Sequence, residues 1–165
     1  VKNYRGLIEA VRQLNEDGLR VRLVIAGEGP ERAELESLLT AAPFSPAPLL
    51  LGHRQDSDVL YRTFDTFVLN SIAEGMPNAV LEAMASGLQV ICTAVGGTVD
   101  LVSHDKSGHL IPPNDPRALM DAIRESAARP EVRSRQALNA RAFIVETFSL
   151  ERMVDRYASL YESVA

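Results

Sequence analysis

The chain has 165 residues, 46% of them hydrophobic, and a formal net charge of −5; that excludes a disordered chain and gives one ordinary domain with a packed core. The acidic balance excludes a broad nucleic-acid-binding face, though it leaves room for an anionic small ligand held by local dipoles and single cations. A lone cysteine, Cys92, excludes an internal disulfide and fits a reducing compartment, and no stretch approaches the roughly 20 apolar residues needed to span a bilayer.

Along the chain, the spacing of Leu7, Ile8, Val11 and Leu14 predicts a helix from Asn3 to about Gly18. Val21 to Ala26 reads as a buried strand. Gly27-Glu28-Gly29-Pro30 follows as a tight turn, with Pro30 suited to open the helix that carries Leu35, Leu38 and Leu39. Three prolines between Ala41 and Pro48 mark a loop. Leu49 to Leu51 is a short strand, Asp56 to Tyr61 a short helix, and Thr66 to Leu69 a strand. Pro77 to Ser86 is helical and stops at Gly87, and Val90 to Cys92 is a strand in which Cys92 is a small core residue. Thr98 to Val102 starts a brief helix or strand, Pro116 to Ala128 is a helix, and two helical segments follow Pro130. The last of these carries Leu150, Met153, Val154, Tyr157, Leu160 and Tyr161.

Strands alternating with helices at this spacing predict an α/β fold: a Rossmann-like parallel sheet with helices on both faces, over residues 1–147, and a C-terminal helical tail over residues 148–165. In such sheets ligands sit beyond the carboxyl ends of the strands. The loop after Thr66–Leu69 is the richest of these positions. Gly75 allows close backbone approach and a positive φ, and Pro77 pre-sets a helix start. The amides around Met76, Asn78 and Ala79 then point out of a helix N-terminus, a seat for phosphate. Glu74 precedes that helix and Glu82 lies inside it. Either glutamate alone reads as a cap or a solvated side chain. Together they frame an anion site with two carboxylates, each able to accept from a vicinal diol, in the order sugar, diphosphate, ribose.

The run Glu74-Gly75-Met76-Pro77-Asn78…Glu82-Ala83-Met84-Ala85-Ser86-Gly87 resembles the E-x7-E region of retaining glycosyltransferase family 4. The likeness extends to Val24–Pro30, Leu51-Gly52-His53, Val95–Asp100, Ser107–Pro113 and Ala118-Leu119, covering nearly the whole chain. It implies the C-terminal, donor-binding half of a GT-B enzyme, in which Glu74 holds hexose hydroxyls and the backbone from Gly75 and Met76 to Asn78 and Ala79 approaches sugar and diphosphate. Pro77 has no N–H to donate, so its role is conformational. Glu82 would hold the ribose, and Lys2 would neutralise the departing diphosphate beside an arginine expected a few residues upstream. His53 and Arg54 resemble the segment that meets the base, and Gly27 and Gly29 form a turn at the ligand edge of the sheet. His104 and His109 read as surface residues, and no Cys/His spacing predicts a metal centre. Two departures stand out: Gln89 where the family usually has proline, expected to alter only a turn, and Asp100 where it usually has glutamate.

The expected activity is hexose transfer from a nucleoside-diphosphate sugar to an acceptor hydroxyl in glycan biosynthesis, with no cofactor beyond that donor. The alternative is a non-catalytic sugar-nucleotide-binding module, or an epimerase or phosphorylase of GT-B type. The chain opens without an initiator methionine and reads as part of a longer polypeptide, its first strand lying upstream. Its expected partner is its own N-terminal GT-B domain, toward which the tail helix packs. The expected setting is cytoplasmic, with any contact at the inner membrane face made through that other domain. The 165 residues alone are expected to transfer nothing.

Overall fold

The computed structural model describes residues 2–41 and 43–164; Val1, Ala42 and Ala165, which fall in the expected chain start, proline-rich loop and tail, lie outside the described residues. The first half runs α1 (Tyr4–Glu16), β1 (Val24–Ala26), α2 (Arg32–Thr40), β2 (Leu49–Gly52), α3 (Ser57–Thr63) and β3 (Thr66–Leu69). The second half runs α4 (Asn78–Ala85), β4 (Gln89–Thr93), α5 (Thr98–Leu101), β5 (Gly108–Ile111), α6 (Pro116–Ala128), α7 (Pro130–Thr147) and α8 (Leu150–Val164). Every strand pairing is parallel.

The strands form two pieces instead of one continuous sheet: β1 pairs with β2, and β3, β4 and β5 pair in that order. Between β1 and β3 runs a groove that both strands line. Two cores sandwich the sheet. One joins α1, β1, α2 and α6 through Leu7, Val11, Ile25, Leu35 and Ile123, and takes Ile91 from β4. The other joins α3, α4 and α7 through Tyr61, Val80, Met84, Ala140 and Ile144, and takes Val90 and Cys92 from β4. Successive β4 side chains thus face opposite helix layers, which is why its five residues are all buried and its centre, Val90-Ile91-Cys92, reads as an apolar run. Burial pushes the Cys92 thiol up to about 12, so it stays protonated and packs as a core residue.

Several boundaries shift for local reasons. β1 is shorter than the apolar run from Val21, because the Val21 carbonyl accepts from the Asn15 side chain of α1. Pro30 precedes α2 by two residues, and Pro77 is the N-cap of α4, not its first helical residue. The Thr98 segment is a helix. β5 escapes the sequence reading because only two of its four residues, Leu110 and Ile111, are apolar.

Two side chains depart from their sequence readings. His109 is buried, at 3% exposure, on β5, and not at the surface; burial lowers its pKa. Gln89 does more than alter a turn. At 1% exposure it donates to Gln136 Oε1 of α7 and accepts from Ser126 of α6 and Thr66 of β3. Gln136 in turn donates to the Asp105 carbonyl at 3.3 Å. A buried polar network therefore ties β3, β4, α6 and α7 together where proline is expected.

The tail helix α8 is exposed along its length, and Leu150, Val154, Tyr157 and Tyr161 are each more than half exposed. Their spacing puts them on one face. Among the described residues, no helix is long and apolar enough to cross a membrane.

Candidate functional site

Every candidate residue except Lys2, which precedes α1, lies on a loop that leaves the carboxyl end of a strand, or on the helix after it. Gly27 follows β1, His53 and Arg54 follow β2, and the segment 70–82 follows β3. The chain leaves β3 through buried Asn70 and Ser71. Ser71 Oγ donates to Glu74 Oε1 at 2.5 Å, and Lys2 Nζ donates to the same oxygen at 3.1 Å. Burial alone would push the Glu74 carboxyl up, but the bonds from Ser71 and Lys2 outweigh it and hold the group below the usual glutamate range. Glu74 is thus an ionised acceptor at neutral pH, with Oε2 unassigned to either partner.

Beyond Glu74, Gly75 does not take the positive φ that the sequence allows it. That conformation belongs to Gly96, in the turn after β4, at φ 52°. A Cβ on Gly96 would come within 1.9 Å of the Glu74 carbonyl oxygen, and one on Gly97 within 2.8 Å of that of Gly75. The Gly97 N–H donates to the Gly75 carbonyl at 2.7 Å. The glycine pair is therefore the seat on which the Glu74–Gly75 backbone rests. Thr93 fixes the same loop from below, its hydroxyl donating to the Ser71 carbonyl at 2.6 Å.

α4 then begins with no side-chain cap. The amides of Val80 and Leu81 both bond to the Pro77 carbonyl, so those of Asn78 and Ala79 precede the first helical hydrogen bonds. One turn on, Glu82 is exposed, and its Oε2 accepts from the Tyr61 hydroxyl of α3 at 3.1 Å. Tyr61 itself is buried, and burial, then the Glu82 charge, raises its pKa, so it acts as a donor throughout the physiological range. Its ring meets Phe67 edge-on at 5.9 Å.

Sequence reasoning missed Ser71, Tyr61, Thr93 and the supporting role of Gly96 and Gly97. Paired glycines after a strand are a readable signal of close backbone approach. Tyr61 left no local signal, because its partner is 21 positions away.

The remaining candidates gather only in part. Lys2, Gly27, His53, Arg54 and Ala79 line one groove of about 740 Å³, while Lys2, Gly27 and Gly29 also line a neighbouring cavity of about 330 Å³. Glu74, Gly75, Met76, Pro77, Asn78 and Glu82 line neither, and Glu74 joins the groove's mouth through Lys2. Arg54 donates from Nε and Nη2 to the two carboxylate oxygens of Asp56, at 2.8 and 2.6 Å. Gly27 donates to the Gly52 carbonyl at 2.7 Å, joining the turns after β1 and β2.

His104, Asp105 and His109 cluster apart from these loops, their ligand-type atoms within 4.8 Å of one another. The Leu110 N–H donates to His104 Nδ1 at 3.1 Å, so the ring's proton sits on Nε2, which faces Asp105 as a donor. That nitrogen is not a metal ligand while the bond to Leu110 holds.

With this geometry in place, comparison with known proteins is decisive. The sequence profile of the glycosyl transferases group 1 family matches residues 1–143. The chain belongs to that family. A putative colanic acid biosynthesis glycosyltransferase of Salmonella typhimurium is 32% identical, matching 99% of this chain and 42% of its own length. An Escherichia coli enzyme named as a UDP-Gal:α-D-GlcNAc-diphosphoundecaprenol α-1,3-galactosyltransferase is also 32% identical, over 97% of this chain and 42% of its own. The chain thus spans less than half the length of either relative. Among solved structures, the Anabaena protein HepE in complex with UDP superposes with a TM-score of 0.89 at 24% identity, covering 98% of this chain and 45% of that one. The group 1 domain therefore has the α/β architecture of GT-B glycosyltransferases.

Proposed function

We propose that this group 1 domain is the donor-binding half of a retaining family 4 glycosyltransferase, which passes a hexose from a nucleoside-diphosphate sugar to an acceptor hydroxyl. The observation that carries this reading is the shared grip of Lys2 and Ser71 on Glu74, directly ahead of the uncapped α4 N-terminus. Glu74, ionised and fixed, accepts from hexose hydroxyls. The Asn78 and Ala79 amides receive the diphosphate, whose charge the helix start favours by about 0.3–2 kcal/mol. Glu82, oriented by Tyr61, accepts from the ribose diol. Lys2, within reach of Glu74, would offset the negative charge that grows on the diphosphate as the sugar departs. Glu74 does not serve as a general acid, since it is held below the range where it would carry a proton.

A diphosphate-linked donor agrees with the UDP-sugar named for the Escherichia coli relative and the UDP bound by HepE. The acceptor and the other half of the cleft belong to an N-terminal domain, toward which the apolar face of α8 turns, so these residues alone turn nothing over. We place the reaction in the cytoplasm, in glycan assembly.

Thermal melting of the full polypeptide with UDP, GDP, ADP and their glucose conjugates tests this. At about 100 times its Kd, the right nucleotide adds about 2.7 kcal/mol, a rise of roughly 5–10 °C in the transition of a domain of this size. Glu82→Ala should remove most of that rise. A panel in which no nucleotide shifts the melting temperature refutes the donor site, and turnover by the 165-residue chain alone refutes the division of labour.

A further inference from the structure

We propose that Asn70 and Asn3 are positioning residues, whose contact sets the backbone from which Lys2 reaches Glu74. Lys2 and Asn3 are adjacent in sequence, and so are Asn70 and Ser71. Lys2 Nζ and Ser71 Oγ both donate to Glu74 Oε1, at 3.1 and 2.5 Å. Directly beside them, the Asn70 side chain donates to the Asn3 carbonyl at 3.3 Å, across 67 positions of sequence. The segment before α1 and the loop after β3 are therefore joined at two points. One is the ion pair itself, and the other is a tie between the residues next to it.

Both ends of that tie are held from behind. Asn70 is buried where the chain leaves β3, and Thr93 fixes its neighbour by donating to the Ser71 carbonyl at 2.6 Å. Asn3 is the N-cap of α1 and lies in the left-handed region, at φ 49° and ψ 46°. Asparagine adopts that conformation more readily than most residues. Its Oδ1 accepts from the Gly6 N–H at 3.2 Å, and a Cβ on Gly6 would lie 2.8 Å from its Nδ2. The Asn3 carbonyl also accepts from the Leu7 N–H at 3.3 Å, the first bond of the helix. Asn3 is thus gripped by α1 through its side chain and by the exit of β3 through its carbonyl.

Lys2 needs such a hold. Its side chain is half exposed, and a lysine in that setting gives up rotamer freedom to stay on one carboxylate, which leaves most such pairs weak. A fixed Asn3 determines where the Lys2 side chain starts. At 3.3 Å the Asn70 bond is long, so its main effect is on position and not on global stability. The consequence for turnover rests on the donor reading above, in which Lys2 offsets charge on the departing diphosphate. The contact itself does not.

The test follows the Glu74 carboxyl by carbon-13 NMR across pH in the full polypeptide, its signal assigned by its loss in Glu74→Gln. Burial pushes that carboxyl up and the Ser71 and Lys2 bonds outweigh it, so releasing Lys2 moves the midpoint up. Asn70→Ala and Asn3→Ala should each move it in that direction. Neither should move it further in a chain already carrying Lys2→Ala. Asn3→Gly keeps the left-handed backbone and the carbonyl, so its midpoint should stay nearer the parent's than that of Asn3→Ala. In donor turnover, Asn70→Ala should lower kcat roughly 10-fold with KM within about twofold, and add no loss to Lys2→Ala. A variant that only loosened the fold would lose as much with Lys2 absent as with it present. A midpoint that Asn70→Ala and Asn3→Ala leave in place overturns the inference, and so does an equal loss in both backgrounds. Midpoints that move as expected while Lys2→Ala leaves turnover intact uphold the contact and overturn the donor reading instead.

Discussion

Lys2 Nζ lies 3.1 Å from Glu74 Oε1 across 72 positions of sequence, and Ser71 holds the same oxygen. The cation is thereby stationed at the carboxylate before any ligand arrives. If the proposed donor site is right, Lys2→Ala and Glu74→Gln in the full polypeptide should each lower kcat/KM by roughly 10–100-fold, the worth of a charge-assisted hydrogen bond. The double variant should lose less than the product of the two. Independent, multiplying losses would show that the pair is not a working unit. The same contacts fix a pH sign. Glu74 ionises more readily folded than unfolded, so its contribution to stability is whole above its usual value of 4.5 and fades as pH falls through its lower folded value. Glu74→Gln should flatten that acid limb.

Tyr61 and Glu82 make a second pair, at 3.1 Å, on two different helices. The hydroxyl restrains an exposed carboxylate that would otherwise sample several rotamers. Tyr61→Phe keeps the ring that packs on Phe67 and removes only the donor. Calorimetric titration should show nucleotide Kd raised about 5–20-fold, at or below the worth of one hydrogen bond to a charged group, because the hydroxyl acts only by orienting Glu82. Unchanged affinity alongside a lowered melting temperature would reduce Tyr61 to a packing residue.

The glycines separate support from contact. Gly96→Ala forces a side chain into the left-handed region and against the Glu74 carbonyl, so the 74–76 backbone must move. Stability should fall by about 1–3 kcal/mol and nucleotide affinity with it. Gly75→Ala meets nothing within 4 Å and needs no positive φ, so denaturant unfolding should register less than about 1 kcal/mol. The reverse ranking would place the close approach on the wrong turn.

These residues also show where the sequence is readable. Apolar runs and their glycine and proline punctuation placed β2, β3, α1 and α6 within a residue or two, because core burial and turn geometry act locally. The run from Glu74 to Glu82 was legible as a loop leading into a helix, because its glycine and proline signals act locally. Tyr61, Ser126 and Gln136 were not, because each acts through a partner brought near only by tertiary packing. The division of the sheet was invisible too: Phe67 and Val68 look central in sequence, and only strand pairing reveals β3 as an edge.

The buried network around Gln89 makes the clearest separation of stability from binding. Gln89 stands at the start of β4, whereas the Glu74 loop follows the carboxyl end of β3, its parallel neighbour. Gln136→Leu leaves the buried Gln89 amide without its acceptor and takes a donor from the Asp105 carbonyl. Urea unfolding should show a loss of about 1–3 kcal/mol. Making Gln89→Leu as well should cost less than the sum of the two single changes, because the stranded amide is then gone and Thr66 and Ser126 keep each other at 2.6 Å. Nucleotide Kd should stay within about twofold of the parent throughout, since the network touches none of the groups proposed to hold the donor. Additive losses, or an affinity that falls with stability, would mean that the two ends of the sheet are coupled.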